Sequence, residues 1–283
     1  MLRAIGGSAT RAETPAFPRP GRSSALPGVA ADSSPLVTAV CAASVVMLAV
    51  CAVMLAFPAT TPMARDWLMS EQGPVEIGTF AAFFCAAFVA ARLAWSARPR
   101  FGEDRVVMVY ACVAAFCLFC ALEEISWGQS FLDFQTPDAW WHINVQGETN
   151  LHDLPGLIDL GSAFVFLFGL MGLGAIALGA KEKLHRYAAP LSLMPLFLLV
   201  TAMGAIETLN DFTHLMPHPA MNISALSEAV ELIGATCAFA YASLAARSIR
   251  AEWAAYDRTV MARMHLAPAR ELAAPEVEEQ RAA

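Results

Sequence analysis

Six long runs of apolar residues, separated by short polar segments, dominate the sequence. They cover Leu36–Phe57, Val75–Trp95, Val106–Leu122, Leu160–Ala180, Tyr187–Ile206 and Leu226–Ala246. Each run has about 20 residues, the length that an α-helix needs to cross a hydrocarbon core roughly 30 Å thick. Strands of a membrane barrel would need only about 10 residues with alternating polarity. The pattern therefore predicts an all-α fold, a polytopic membrane helix bundle with six transmembrane helices.

The segments outside these runs define the predicted domain organisation. Residues 1–34 mix Ala, Pro, Gly, Ser and Arg without periodicity, which is typical of a disordered tail. Residues 35–250 form the predicted six-helix transmembrane domain, with one long polar loop at residues 123–159. Residues 251–283 are expected to be a second tail, mostly disordered.

The composition excludes several classes of protein. Of the 283 residues, 57% are hydrophobic and only 15% are charged, whereas soluble domains carry about 25% charged residues. A disordered protein, a coiled coil and an ordinary cytosolic enzyme are therefore excluded. The net charge of −7 provides no basic field, which argues against a nucleic-acid partner.

The placement of charge predicts the orientation in the membrane. Lys and Arg accumulate in cytoplasmic loops, and 17 of the 18 basic residues fall on one side if the N-terminus is inside. Arg65 is the exception. Both termini are then cytoplasmic, in the N-in/C-in arrangement, and the loop 123–159 lies outside. Fourteen acidic residues fall on that outer side.

The first chemical motif is EEISWGQ at residues 123–129, directly after the third apolar run. Charged groups at a membrane boundary are costly unless they meet water, a partner or a metal. The adjacent carboxylates Glu123 and Glu124 therefore indicate a bound cation, a shared proton or a general acid–base pair. A solvated helix end is the alternative explanation.

The second motif is QGETNLHD at residues 146–153. Glu148 and His152 are four residues apart, so a helical turn would place them on one face as metal ligands. No established zinc motif is present. The alternative is a loop whose polar groups cap one another.

Further acidic residues and histidines accompany the fifth and sixth runs. Glu207, Asp211 and His214 follow helical spacing after the fifth run, and Glu228 and Glu231 lie three residues apart in the sixth. Acidic residues in a first helical turn are stabilised by the helix dipole. This is a sufficient explanation for Glu228, but Glu231 lies deeper.

These motifs resemble a group of bacterial multi-pass membrane proteins of unassigned function. EEISWGQ, QGETNLHD and the segment EQGPVEIGTF before the second run carry the resemblance, which covers roughly residues 65–235. It implies a bacterial inner-membrane protein and supplies no activity. A much weaker likeness to alkaline ceramidases and adiponectin-type receptors points to metal chemistry. Those hydrolases hold zinc within seven helices, however, and the six runs here lack their terminal His pair.

Three functional hypotheses follow. The first is a metal-dependent hydrolase or transferase that acts on a membrane lipid or a lipid-linked substrate at the outer face, with Zn²⁺, Mn²⁺ or Fe²⁺ as the metal. Its predicted ligands are Glu124, Glu148, His152, Glu207 and His214, and its predicted bases are Glu123 and Glu231. The second is a proton- or cation-coupled transporter, and the third is a non-catalytic envelope assembly protein. The metal hypothesis requires His152 to lie near the acidic residues of the third, fifth and sixth helices.

Overall fold

The described part of the chain forms a bundle of long helices. The computed structural model describes residues 35–57, 60–68, 70, 73–100, 102–144, 147–151, 154–156, 161–181, 183–213 and 220–271. The α-helices are α1 (Pro35–Ala56), α2 (Thr61–Leu68), α3 (Pro74–Ala97), α4 (Asp104–Glu124), α5 (Gln129–Leu132), α6 (Asp138–Trp141), α7 (Gly161–Ala177), α8 (Met194–Thr213) and α9 (Ala220–Glu271). Short 3-10 turns continue α7 and precede α8, and the described part of the chain contains no β-strand.

Six helical segments are long and apolar enough to cross a membrane. They are Pro35–Met54, Pro74–Ala97, Asp104–Glu124, Gly161–Ala180, Leu191–Thr213 and Leu226–Ala262. Large apolar side chains on several of them are exposed in the isolated chain: Val45 and Phe88 are about 60% exposed. An exposed apolar surface of this kind is typical of a face that contacts a membrane or another protein. The predicted all-α fold with six helices that are long and apolar enough to span a membrane is confirmed for the part of the chain that the structure describes.

Two helices differ from the spans predicted from hydropathy. The fifth span begins later than Tyr187, with a 3-10 turn at Leu191–Leu193, because Pro190 cannot donate a helical hydrogen bond. Its helix α8 then continues past Glu207 to Thr213. Helix α9 has 52 residues and continues to Glu271. Residues 251–271 are therefore helical rather than the mostly disordered tail that was expected, whereas residues 1–34 and 272–283 lie outside the described residues.

Helix α9 is the central element of the bundle. It packs against α1, α3, α7 and α8 and has the largest buried share of the six spans. Small side chains dominate this packing, since Ala235, Ala240 and Ala242 are fully buried. Small residues allow membrane helices to approach closely, and the van der Waals contact between the helices stabilises the bundle.

Charged side chains at the two ends of the bundle are arranged differently. At the end where α3 terminates and α4 begins, called here the basic end, Arg186 pairs with Glu103 at 3.0 Å and with Glu252 at 2.9 Å. Arg100 pairs with Asp257 at 3.0 Å. These ion pairs tie the loops at this end to α9. The opposite end, where α4 terminates and α7 begins, is called the carboxylate end.

Candidate functional site

A cavity of about 480 Å³ opens into the bundle at the carboxylate end. Its walls come from α2, α3, α4, α7, α8 and α9, together with the chain that follows α4. This volume is within the range of small-molecule binding sites. Six carboxylates line the cavity: Glu76, Glu123, Glu124, Glu148, Glu228 and Glu231. No Lys, Arg or His is found among the described residues that line it.

The lining changes from polar to aromatic along the helices. On α3, Phe83 lies seven residues beyond Glu76, about 10 Å deeper at the usual helical rise. On α4, Phe119 likewise lies one helical turn deeper than the carboxylates. Phe164 and Phe168 of α7 complete the aromatic part of the wall. The cavity is thus acidic near the end of the bundle and apolar further inside.

Most of the predicted site residues lie together. The cavity lining includes Glu123, Glu124, Glu148 and Glu231, which come from α4, the following loop and α9. Glu207 is not in the lining but lies close enough to Glu231 for the two charges to repel each other. The predicted ligands His152 and His214 lie outside the described residues, so the required distance from His152 to the acidic residues stays a prediction.

Two lining carboxylates, Glu76 and Glu228, were not included in the predicted site. Glu76 is in the first turn of α3, where the helix dipole is a sufficient reason for an acidic residue. That reason does not apply to Glu228, because α9 begins at Ala220 and has no acidic residue in its first turn. The prolines at positions 217 and 219 are the sequence signal for this earlier helix start.

Glu231 lies close to several other carboxylates. The charges of Glu228, Glu124 and Glu207 all act on it. Glu231 is half-buried within a membrane-spanning helix, where an ionisable side chain is costly and marks a functional position. Like charges in such a setting favour the binding of a cation.

Glu123 has a different environment, because its two oxygens accept well-defined hydrogen bonds. The indole Nε1 of Trp127 donates to Oε1 at 2.6 Å, and the backbone N–H of Leu151 donates to Oε2 at 2.8 Å. The carboxylate is only 8% exposed. It therefore connects the end of α4 to the second motif, and this position fits a structural tie better than the predicted catalytic base.

The two sequence motifs are locked together by further hydrogen bonds. Ser126 donates to the Glu148 carboxylate, and the Asn150 amide donates to both Ser126 at 3.2 Å and Glu148 at 3.1 Å. The Gln129 side chain accepts from the Thr149 N–H at 2.9 Å. Glu148 is thus engaged by loop residues, as the alternative of mutually capping polar groups predicted, while it also lines the cavity.

A left-handed turn positions this network directly after α4. Ser126, Trp127 and Gly128 all have positive φ, with values of 47°, 57° and 84°. Only glycine adopts this region freely, so Ser126 and Trp127 cost about 1–2 kcal/mol each. The hydrogen bonds to Glu123 and Glu148 offset this strain. Ser126, held in this turn, is one of the residues that line the cavity although it is only 4% exposed.

Asp211, predicted to share a polar stripe with Glu207 and His214, pairs with a serine on the neighbouring helix. Ser162 of α7 donates a hydrogen bond to Asp211 of α8 at 2.7 Å. Neither residue lines the cavity. This pair stabilises the contact between the two helices at the carboxylate end.

Metal ligation can be tested only on the residues that the structure describes. Among these, no three His, Cys, Asp or Glu side chains are arranged so that they would hold a metal ion. The seven cysteines are all free. A metal site of the predicted composition would need His152 or His214, which lie outside this part of the chain.

Comparisons of the chain with known protein families, with curated proteins and with solved structures found no match. The resemblance to bacterial membrane proteins of unassigned function stays a prediction.

Proposed function

We propose that this is a bacterial inner-membrane protein with both termini in the cytoplasm, and that its cavity binds a positively charged, amphipathic molecule at the outer face. The charge distribution supports this orientation. With the basic end inside, 17 of the 18 Lys and Arg residues are cytoplasmic. The cavity, at the opposite end, then faces the outer leaflet.

The observation that carries the proposal is the change in lining within one cavity. Six carboxylates without a basic lining residue in the described chain favour a ligand that brings positive charge. The phenylalanine rings deeper inside suit a hydrocarbon chain, and their faces also attract cations. A lipid with an amine head group and a free alkylamine share this chemistry. A membrane lipid or a lipid-linked molecule therefore remains the proposed class of substrate.

A metal-dependent hydrolase or transferase is the second candidate function. The repulsion among Glu124, Glu207 and Glu231 favours it, because a divalent ion would relieve that repulsion. In that case His152 and His214 would supply the imidazole ligands. A transporter would use the same acidic residues to carry protons or cations, for which the depth of Glu231 in α9 is the supporting feature.

Photo-crosslinking tests the proposal on the full chain in lipid nanodiscs. The probe is dodecylamine with a diazirine near the end of its alkyl chain, and the matched probe is the corresponding dodecanol. We expect the amine to label the segment of α7 that carries Phe164 and Phe168. Labelling by the neutral alcohol should be at least about tenfold weaker, which corresponds to about 1.4 kcal/mol.

Two charge-matched double variants provide the control. Glu228→Gln with Glu231→Gln removes two cavity carboxylates and should reduce amine labelling at least about tenfold. Asp133→Asn with Asp138→Asn removes two exposed acidic residues of the loop that do not line the cavity and should leave labelling unchanged. Equal labelling by amine and alcohol would refute the proposal. A stoichiometric divalent metal that is lost from the cavity variant would instead favour the second candidate.

A further inference from the structure

We propose that Ser126 is a nucleophile with Glu148 as its general base, so that the cavity cleaves an ester bond in its ligand. This inference rests on the proposed function, since it concerns what the bound lipid-like molecule undergoes. Ser126 was not among the residues predicted from the sequence. Its hydroxyl and the Glu148 carboxylate form a hydrogen-bonded pair, and both residues line the cavity.

The position of Ser126 in the chain supports this assignment. It follows the end of α4 in a turn whose three residues all have positive φ. Backbone strain of this kind is found preferentially at functional sites, where the surrounding structure holds it in place. A strained turn next to a helix also presents the nucleophile of many hydrolases.

The partners of Ser126 match those that an activated hydroxyl requires. A serine is a weak nucleophile unless a neighbouring base accepts its proton, and a third group should orient the pair. Glu148 accepts the hydrogen bond from the hydroxyl. Asn150, which is 1% exposed, donates to the hydroxyl oxygen and to the carboxylate. Asn144 in turn accepts the backbone N–H of Glu148 at 3.1 Å.

The proposed reaction uses only these groups and water. The Ser126 oxygen forms a bond to the ester carbonyl carbon while its proton moves to Glu148. The carbon–oxygen bond to the alcohol then breaks, and the alcohol leaves with that proton. Water next attacks the acyl-serine, gives a proton to Glu148, and releases the acid as the proton returns to Ser126. An ester and water thus become an acid and an alcohol.

A second serine–carboxylate pair provides a matched control. Ser162 is 7% exposed and donates to Asp211 at 2.7 Å, so its burial and partner resemble those of Ser126. It does not line the cavity, however. If a buried serine–carboxylate contact alone were sufficient for reactivity, the two serines would react alike.

The test is covalent labelling of the full chain in nanodiscs with a neutral alkyl fluorophosphonate. In this reaction the serine oxygen bonds to phosphorus, fluoride leaves, and the base takes the proton. We expect mass spectrometry to find the adduct on Ser126 and not on Ser162. The adduct should be lost in Ser126→Ala and retained in Ser162→Ala.

Glu148→Gln keeps a hydrogen-bond acceptor for Ser126 but removes the base, so labelling should slow by at least about tenfold. Thermal unfolding with a maleimide dye, which reacts when the buried cysteines become accessible, checks that each variant is folded. Absence of the Ser126 adduct in the folded wild type, or equal rates in Glu148→Gln, would overturn the inference. The fluorophosphonate probe has no positive charge. A negative result with it therefore refutes the role of Ser126 without deciding the amine-binding test of the proposed function.

Discussion

Glu123 provides the most direct test of how the two motifs are held together. Its carboxylate accepts hydrogen bonds from the Trp127 indole and from the Leu151 N–H. The substitution Glu123→Gln retains one acceptor oxygen and replaces the other with an NH₂ group. One of the two donors then faces another donor, and the corresponding hydrogen bond is lost.

The expected magnitude follows from the charge and burial of this group. A hydrogen bond to a charged acceptor contributes about 1.5–3 kcal/mol. Glu123 is only 8% exposed, so water replaces the lost partner poorly. We expect the free energy of local opening of the loop around Leu151 to decrease by this amount. Because about 1.4 kcal/mol corresponds to a factor of ten, the Leu151 amide should exchange its hydrogen roughly 10- to 150-fold faster.

The assay is hydrogen exchange of the full chain labelled with ¹⁵N-leucine. Glu124→Gln is the matched control, because it removes the same charge from the neighbouring residue while Leu151 keeps its acceptor on Glu123. Exchange of the Leu151 amide should change by less than about threefold in this control. If both variants accelerate exchange equally, general charge removal is the cause and the proposed tie through Glu123 is refuted.

Two further predictions concern packing and orientation. An added Cβ at Gly204 would overlap with the backbone nitrogen of Phe166, so Gly204→Ala should destabilise the bundle by about 1–3 kcal/mol. Gly174→Ala is the control, because an added Cβ there would have nothing within 4 Å; it should be neutral or stabilising by up to about 1 kcal/mol. Equal thermal unfolding midpoints of the two variants would contradict the packing argument. For orientation, a reporter enzyme active only outside the cytoplasm should be inactive when fused after residue 100 or 185 and active within 133–141. The reverse pattern would exclude the proposed orientation.

The membrane-spanning helices could be predicted well from the sequence, but the ends of two of them could not. Hydropathy detects residues in contact with lipid, so the predicted apolar runs ended where acidic residues began. In α8, however, the helix continues past Glu207 because Asp211 is satisfied by Ser162 on the neighbouring helix. In α9 the helix begins before Leu226 and continues through a polar segment that pairs with loops at the basic end.

The candidate site could be predicted only in part. Successive membrane-spanning helices run in alternating directions, so the end of α4 and the start of α9 lie on the same side. The sequence therefore predicted that several carboxylates share one region. The role of Ser126 could not be derived in this way. Serine and tryptophan do not favour positive φ, and among the three residues of the turn only Gly128 signals it. The turn depends on hydrogen bonds that its residues make with side chains more than 20 positions away, such as the bond that Ser126 donates to Glu148.

Two pairs among the cavity carboxylates, Glu123 with Glu148 and Glu228 with Glu231, have different surroundings and different consequences. Glu123 and Glu148 accept bonds from the loop, so their charges stabilise a strained local structure. On Glu231, in addition, the charges of Glu228, Glu124 and Glu207 act, and like charges repel one another. A positively charged ligand would relieve this repulsion. Substitution of Glu123 should therefore disturb the loop, and substitution of Glu228 and Glu231 should affect mainly what the cavity binds.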